Sequence, residues 1–216
     1  MYAILGATGH TGGVVAEKLL AKGQKVRVIG RDLRRLERFT RKGAEPTAAD
    51  ATDAASLTKA FSGAQAVYAL VPPNVGAPDV LAYSGRVSDA VAAAIEKNGV
   101  THAVILSSYG AEKPDKTGPV LGLHHLEQKL NAIARLNAVY LRAGYFMENI
   151  LPQTDIVRNM GSMAGPVRTD LPLPMIATRD IGAAAAETLL KLDFQGKTTR
   201  ELQGARDVSY LSLIHI

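Results

Sequence analysis

Tyr2-Ala3-Ile4-Leu5-Gly6-Ala7-Thr8-Gly9-His10-Thr11-Gly12-Gly13 decides the fold. A short apolar run, Ala3 to Leu5, stops at Gly6. Glycine recurs at positions 9 and 12, and Val14 to Leu20 then reads as the apolar face of a helix. Strand, glycine turn and helix in this order let backbone N–H groups and a helix N-terminus hold a pyrophosphate. Gly6 lets the chain leave the strand through a tight turn that a Cβ would obstruct. Gly9 removes bulk where phosphates must approach the backbone, and Gly12 lets the helix lie close to the strand. The GxxGxxG spacing is one residue longer than the GxGxxG dinucleotide fingerprint. A bound dinucleotide touching Gly6, Thr8, Gly9, His10, Thr11 and Gly12 is the expectation; a plain glycine turn is the alternative.

Working outward, apolar runs and helical patterns alternate. Strands are expected at Lys25–Ile29, Glu45–Ala48, Ala66–Val71, His102–Ser107 and Ala138–Arg142. Helices are expected around Leu33–Thr40, after Asp53 as a cap, over Asp79–Lys97, Gly122–Leu136 and Asp180–Leu192. The strands are continuous rather than alternating apolar runs, as when helices cover both faces of a sheet. The pattern therefore predicts an α/β fold, a doubly wound parallel sheet of the Rossmann type. Residues 1–150 form the expected dinucleotide-binding domain. Residues 151–216 are read as a partial substrate-lobe segment packed on it, with 156–174 as a loop or small lobe over the cleft.

Composition narrows the classes. A chain of 216 residues, 47% of them apolar, can bury one sizeable core. It has no cysteine, which excludes disulfides and thiolate chemistry. No apolar stretch reaches the ~20 residues that span a bilayer, and no leader is evident before the first strand, so a cytoplasmic protein is expected. Most of the net charge of +5 sits between Arg31 and Lys42, where six basic residues face Asp32 and Glu37. The segment lacks the interleaved aromatics of a nucleic-acid surface, so neither nucleic acid nor membrane is an expected partner. The histidines and carboxylates show no metal-ligand spacing, so no metal is expected.

The residue after the second strand separates the nicotinamide cofactors. A carboxylate there accepts from the ribose hydroxyl of NAD. This chain has Arg31, whose guanidinium suits the additional phosphate of NADP, with Arg34 or Arg35 one turn along. NADP(H) is therefore favoured over NAD(H), and Asp32 is expected to point away or to cap the next helix. Leu70, Val71 and Pro72 are expected against adenine and ribose, and Ser107 and Ser108 near the nicotinamide.

The Gly6–Gly13 stretch, GATGHTGG, resembles the atypical short-chain dehydrogenase/reductases, and within them the NmrA-like NAD(P)-binding family. Leu141-Arg-Ala-Gly-Tyr-Phe-Met-Glu-Asn149 is similar to that family's LRPxxFMEN signature, with Ala143 where proline is usual. The resemblance runs from Met1 to about Gln203. It implies Asp50 at the adenine amino group, an ordinary loop carboxylate being the alternative, and Phe146 and Asn149 at the nicotinamide end. Catalytic members of the wider superfamily use Tyr and Lys four residues apart on one helix face. Tyr109 and Lys113 match the spacing, but in a glycine-containing loop. His125 and Lys129 hold the corresponding helical positions, with His124 competing, and are the candidate catalytic pair, a helix-surface or cleft-wall histidine without catalytic duty being the alternative.

The resemblance implies two functions. One is NADPH-dependent hydride transfer to a quinone or similar small electrophile. The other is a non-catalytic NADP(H) sensor whose partner is a regulatory protein. A sugar-nucleotide epimerase is disfavoured by the missing helical tyrosine. The family usually continues for several dozen residues, and Ser209–Ile216 is read as the end of a truncated chain, a short natural tail being the alternative.

Overall fold

The computed structural model describes residues 1–162 and 167–213. Its centre is a sheet of seven parallel strands in the order β3-β2-β1-β4-β5-β6-β9. These are β1 (Tyr2–Leu5), β2 (Val26–Gly30), β3 (Glu45–Ala48), β4 (Ala66–Ala69), β5 (His102–Ser108), β6 (Asn137–Ala143) and β9 (Lys197–Leu202). Ile4 pairs with Val28 on one side and Tyr68 on the other, which fixes the register at the centre. Every residue of β1 and β4 is buried, because both sheet faces are covered.

On one face lie α1 (His10–Ala21) and α7 (Thr178–Lys191), which pack together. Val15, Leu19, Ile181 and Leu189 form a single core there with Ile4, Val28 and Phe39. On the other face lie α3 (Ala54–Phe61), α4 (Val80–Lys97) and α5 (Leu121–Asn131), with Leu57, Phe61, Val91 and Leu126 in a second core. Asp53 caps α3 by accepting from the N–H of Ala55 at 2.9 Å, and Asp79 caps α4 through Ala82 at 2.8 Å. The segment after β2 is a 3₁₀ turn, Leu33–Leu36, running into the short helix α2 (Glu37–Thr40). Asp32 caps that turn, as its position suggested.

Several elements differ from expectation. β4 stops at Ala69, not Val71, since Pro72 and Pro73 have no N–H for a ladder; Leu70 and Val71 leave the sheet. α5 ends at Asn131 rather than Leu136, where three-residue turn bonds from Ile133 to Leu130 and from Leu136 to Ile133 take over. Strand β9 was not expected at all: its residues 198–201 are exposed and polar at the sheet edge. α7 and β9, both beyond residue 150, pack on and extend the same sheet.

Within the 156–174 stretch, α6 (Thr154–Met160) is helical. Residues 163–166, and the tail residues 214–216, lie outside the described residues. A second, two-stranded parallel sheet pairs β7 (Tyr145–Phe146) with β8 (Met175–Ile176). The short helix α8 (Tyr210–Leu213) follows.

Candidate functional site

Strand order reverses between β1 and β4, and the crevice outside the carboxyl ends of strands at such a point is where this architecture binds ligands. A cavity of about 1040 Å³ opens there. Gly6, Thr8, Gly9, His10 and Thr11 form one wall, and Leu70, Val71 and Pro72 another. Ser107, Ser108 and Asn149 close the far end with Phe146 and Thr178. The structure thus brings together most of the residues singled out in the sequence.

The glycine turn has the expected geometry. Gly6 adopts φ +73°, a conformation that costs a side-chain-bearing residue dearly. A Cβ on Gly12 would stand 2.5 Å from the carbonyl oxygen of Gly6, so Gly12 is a packing residue rather than a wall residue. Gly9 flanks α1 as its N-cap, and its N–H donates to Gly6 at 2.9 Å. No side chain caps α1. Among the described residues, the N–H groups of His10, Thr11 and Gly12 find no acceptor in the chain. An open first turn facing a cavity offers these donors, and the positive end of the helix dipole, to an anion. Behind the turn the buried Tyr68 hydroxyl donates to Thr11 Oγ1 at 2.9 Å, and burial pushes the Tyr68 phenol up.

Beyond β2 and outside the cavity wall, Arg31 is exposed, and among the described residues its guanidinium has neither hydrogen bond nor ion pair. Arg34 is committed: its Nε and Nη2 donate to Asp32 at 3.2 and 3.0 Å. Asp50 lies outside the cavity wall, at the end of β3, and its Oδ1 accepts from both the N–H and the hydroxyl of Thr52 at 2.8 Å. Those bonds, backbone first, hold the Asp50 carboxyl below its usual range, with Arg31 adding its positive field.

Beneath the far end lies a polar cluster that the sequence did not disclose. Ser107, 3% exposed, donates to Glu127 Oε1 at 2.6 Å. Arg142 Nε donates to the same oxygen at 3.1 Å and Nη2 to Oε2 at 2.6 Å. The bond to Glu127 raises the Arg142 guanidinium further above its ordinary range, against the opposing effect of burial. Tyr140 donates to Asn131 Oδ1 at 2.7 Å. No sequence motif marks Glu127, which reads as a solvated helical residue; only its position facing the ends of β5 and β6 gives it this role.

The expected catalytic pair is not at the cavity. His125 is exposed on α5 and does not line it, and Lys129 pairs with Asp89 on α4. The helix turns Leu126, Glu127 and Leu130 inward, which leaves His125 and Lys129 on an outer face. His124 Nδ1 donates to the Ala111 carbonyl at 2.7 Å. Three tyrosines, Tyr83, Tyr109 and Tyr145, stand on the wall instead. Tyr109 donates to Gln203 Oε1 at 3.2 Å, whereas Tyr145 accepts from the Tyr210 hydroxyl at 2.8 Å and keeps its own hydrogen. Burial, with that bond, pushes the Tyr210 phenol up to about 12.

The family model of the NmrA-like family matches residues 2–213. A (4-alkanoyl-5-oxo-2,5-dihydrofuran-3-yl)methyl phosphate reductase from Streptomyces griseus is 30% identical over 202 residues, covering 91% of this chain and 66% of the relative. An NAD(P)H azoreductase from Xenophilus azovorans is 25% identical over 193 residues, covering 88% and 64%. The chain therefore spans just under two thirds of the length of these curated relatives. Among solved structures, an NADPH-dependent quinone oxidoreductase from Escherichia coli, complexed with NADPH, superposes with a TM-score of 0.80. It is 26% identical, and the match covers 99% of this chain and 72% of that one.

Proposed function

The chain belongs to the NmrA-like family, and from that membership we propose that it is an NAD(P)H-dependent reductase that takes NADP(H) and reduces a small electrophile such as a quinone. The observation that carries this is the uncapped first turn of α1 opening into the switch-point cavity. Its free N–H groups and the close approach allowed at Gly9 suit a pyrophosphate. Arg31, left without a partner, suits the ribose phosphate of NADP, and pairs of this kind are charge-assisted. The relatives named above support the same cofactor class.

A reduced nicotinamide held there would supply a hydride. The chain supplies positioning. Ser107 gives its hydrogen to Glu127, so its oxygen offers only lone pairs to a ligand N–H. Ser108 and Asn149 flank the same end. Tyr145, fed by Tyr210, holds an O–H that an acceptor oxygen can take, a role for which His125 is badly placed. Hydrophobic walls at Phe146, Leu173 and Pro174 restrict water around the reacting end.

The test is calorimetric binding of NADPH and NADH, followed by NADPH oxidation with a panel of quinones. Tight binding with quinone-dependent oxidation supports the reductase. Binding without turnover on any acceptor favours the regulatory sensor instead. A folded protein that binds neither dinucleotide overturns both.

A further inference from the structure

The cavity walls carry no fixed charge among the described residues: none of the lining side chains is Asp, Glu, Lys or Arg. The one histidine on the wall among the described residues, His10, sits at the α1 turn, close enough to Glu148 for the two to interact electrostatically. Around the acceptor end the walls are Pro119, Val120, Leu123, Phe146, Leu173 and Pro174. Its polar groups are hydroxyls and an amide, those of Ser108, Tyr109, Tyr145 and Asn149. Arg142, behind the wall at this end, is consumed by Glu127 and Glu112.

We infer that the site selects uncharged, oxygen-bearing acceptors and rejects those carrying a phosphate or sulfonate, an inference that rests on the reductase reading above. An anion brought against these walls loses its hydration without gaining a cation, which is costly. A neutral carbonyl compound loses little, since a hydroxyl on the wall can donate to its oxygen. The phosphate ester in the name of the Streptomyces griseus relative is thus not the acceptor class that suits these walls.

The experiment measures binding, so it reads out whether or not turnover occurs. Protein saturated with 1,4,5,6-tetrahydro-NADP, an unreactive analogue whose nicotinamide ring is uncharged, is titrated calorimetrically with menadione and with naphthoquinone sulfonate, and NADPH oxidation is followed with both. Menadione is expected to bind at least about tenfold more tightly, a difference of ~1.4 kcal/mol. Val120→Arg, which adds a cation to a half-buried wall position, is expected to narrow the gap severalfold, and Val120→Gln to leave it. Equal or tighter binding of the sulfonate by the unaltered protein overturns the inference, as does binding of neither quinone. Menadione-selective binding without NADPH oxidation retains the inference and removes the reductase.

Discussion

Glu127 Oε2 and Arg142 Nη2 stand 2.6 Å apart behind the cavity, with side chains 5% and 16% exposed. One comes from α5 and the other from β6, so the pair ties a helix to the sheet directly under Ser107. Removing Glu127 leaves the largely buried Arg142 with only the longer contact to the exposed Glu112 at 3.4 Å, which is an expensive outcome.

Glu127→Ala is accordingly expected to destabilise the protein by about 3–5 kcal/mol, read from urea midpoints. The double replacement Glu127→Met with Arg142→Met is expected to recover most of that loss, because no charge then remains buried. A loss under about 1 kcal/mol for the single variant would assign the pair the weight of a surface contact.

Gly12→Ala tests the glycine turn. The added Cβ would meet the oxygen and carbon of the Gly6 carbonyl at 2.5 and 2.8 Å, and backbone cannot rotate aside. The expected cost is about 1–3 kcal/mol together with weaker dinucleotide binding, as α1 is levered off β1. Gly85→Ala on α4 is the control: a Cβ there meets nothing within 4 Å, and about 0.5–1 kcal/mol of added stability is expected.

The sequence revealed what burial on two faces imposes. The apolar run from Ala66 and the cap Asp53 are local signals, and they lie where read, although β4 stops at Ala69 rather than Val71. Strand β9 carries Thr198, Thr199, Arg200 and Glu201 on an exposed edge, so hydrophobicity could not announce it. Four-residue spacing put His125 and Lys129 on one helix face, but spacing does not say which face looks inward. Leu126 and Leu130 settle that, and they take Glu127 with them. Membership in the site of Tyr145 and Tyr210 depends on a contact across 65 residues, which no local pattern encodes.

Arg31→Ala separates the two cofactors. Arg34 is held by Asp32, whereas Arg31 and Arg35 have no ion pair among the described residues, and Arg31 is the one that directly follows β2. A charged hydrogen bond of this type contributes about 1.5–3 kcal/mol. NADPH affinity is therefore expected to fall by roughly one to two orders of magnitude while NADH affinity changes little. Arg34→Ala is expected to do much less. Equal losses for both cofactors in calorimetry would remove the NADP assignment.

Glu148 gives a prediction in pH. It is the glutamate of the FMEN segment, and it accepts from the N–H of Thr178 at 3.0 Å and from its hydroxyl at 2.6 Å, securing the start of α7. Burial alone would raise its carboxyl, but the Thr178 hydroxyl and N–H outweigh that and hold it below the usual range. A carboxyl lowered by folding adds stability that is complete above the unfolded value, about 4.3, and is lost as pH falls through the folded one. Glu148→Gln carries the side chain in permanently neutral form. Its deficit in urea midpoint against the unaltered protein should therefore be largest near neutrality and shrink steadily below about pH 4. Asp50 also loses its advantage in acid, but it does so in both proteins and cancels from the difference. A deficit that stays constant down to about pH 3 would mean that Glu148 acts through shape and not through charge.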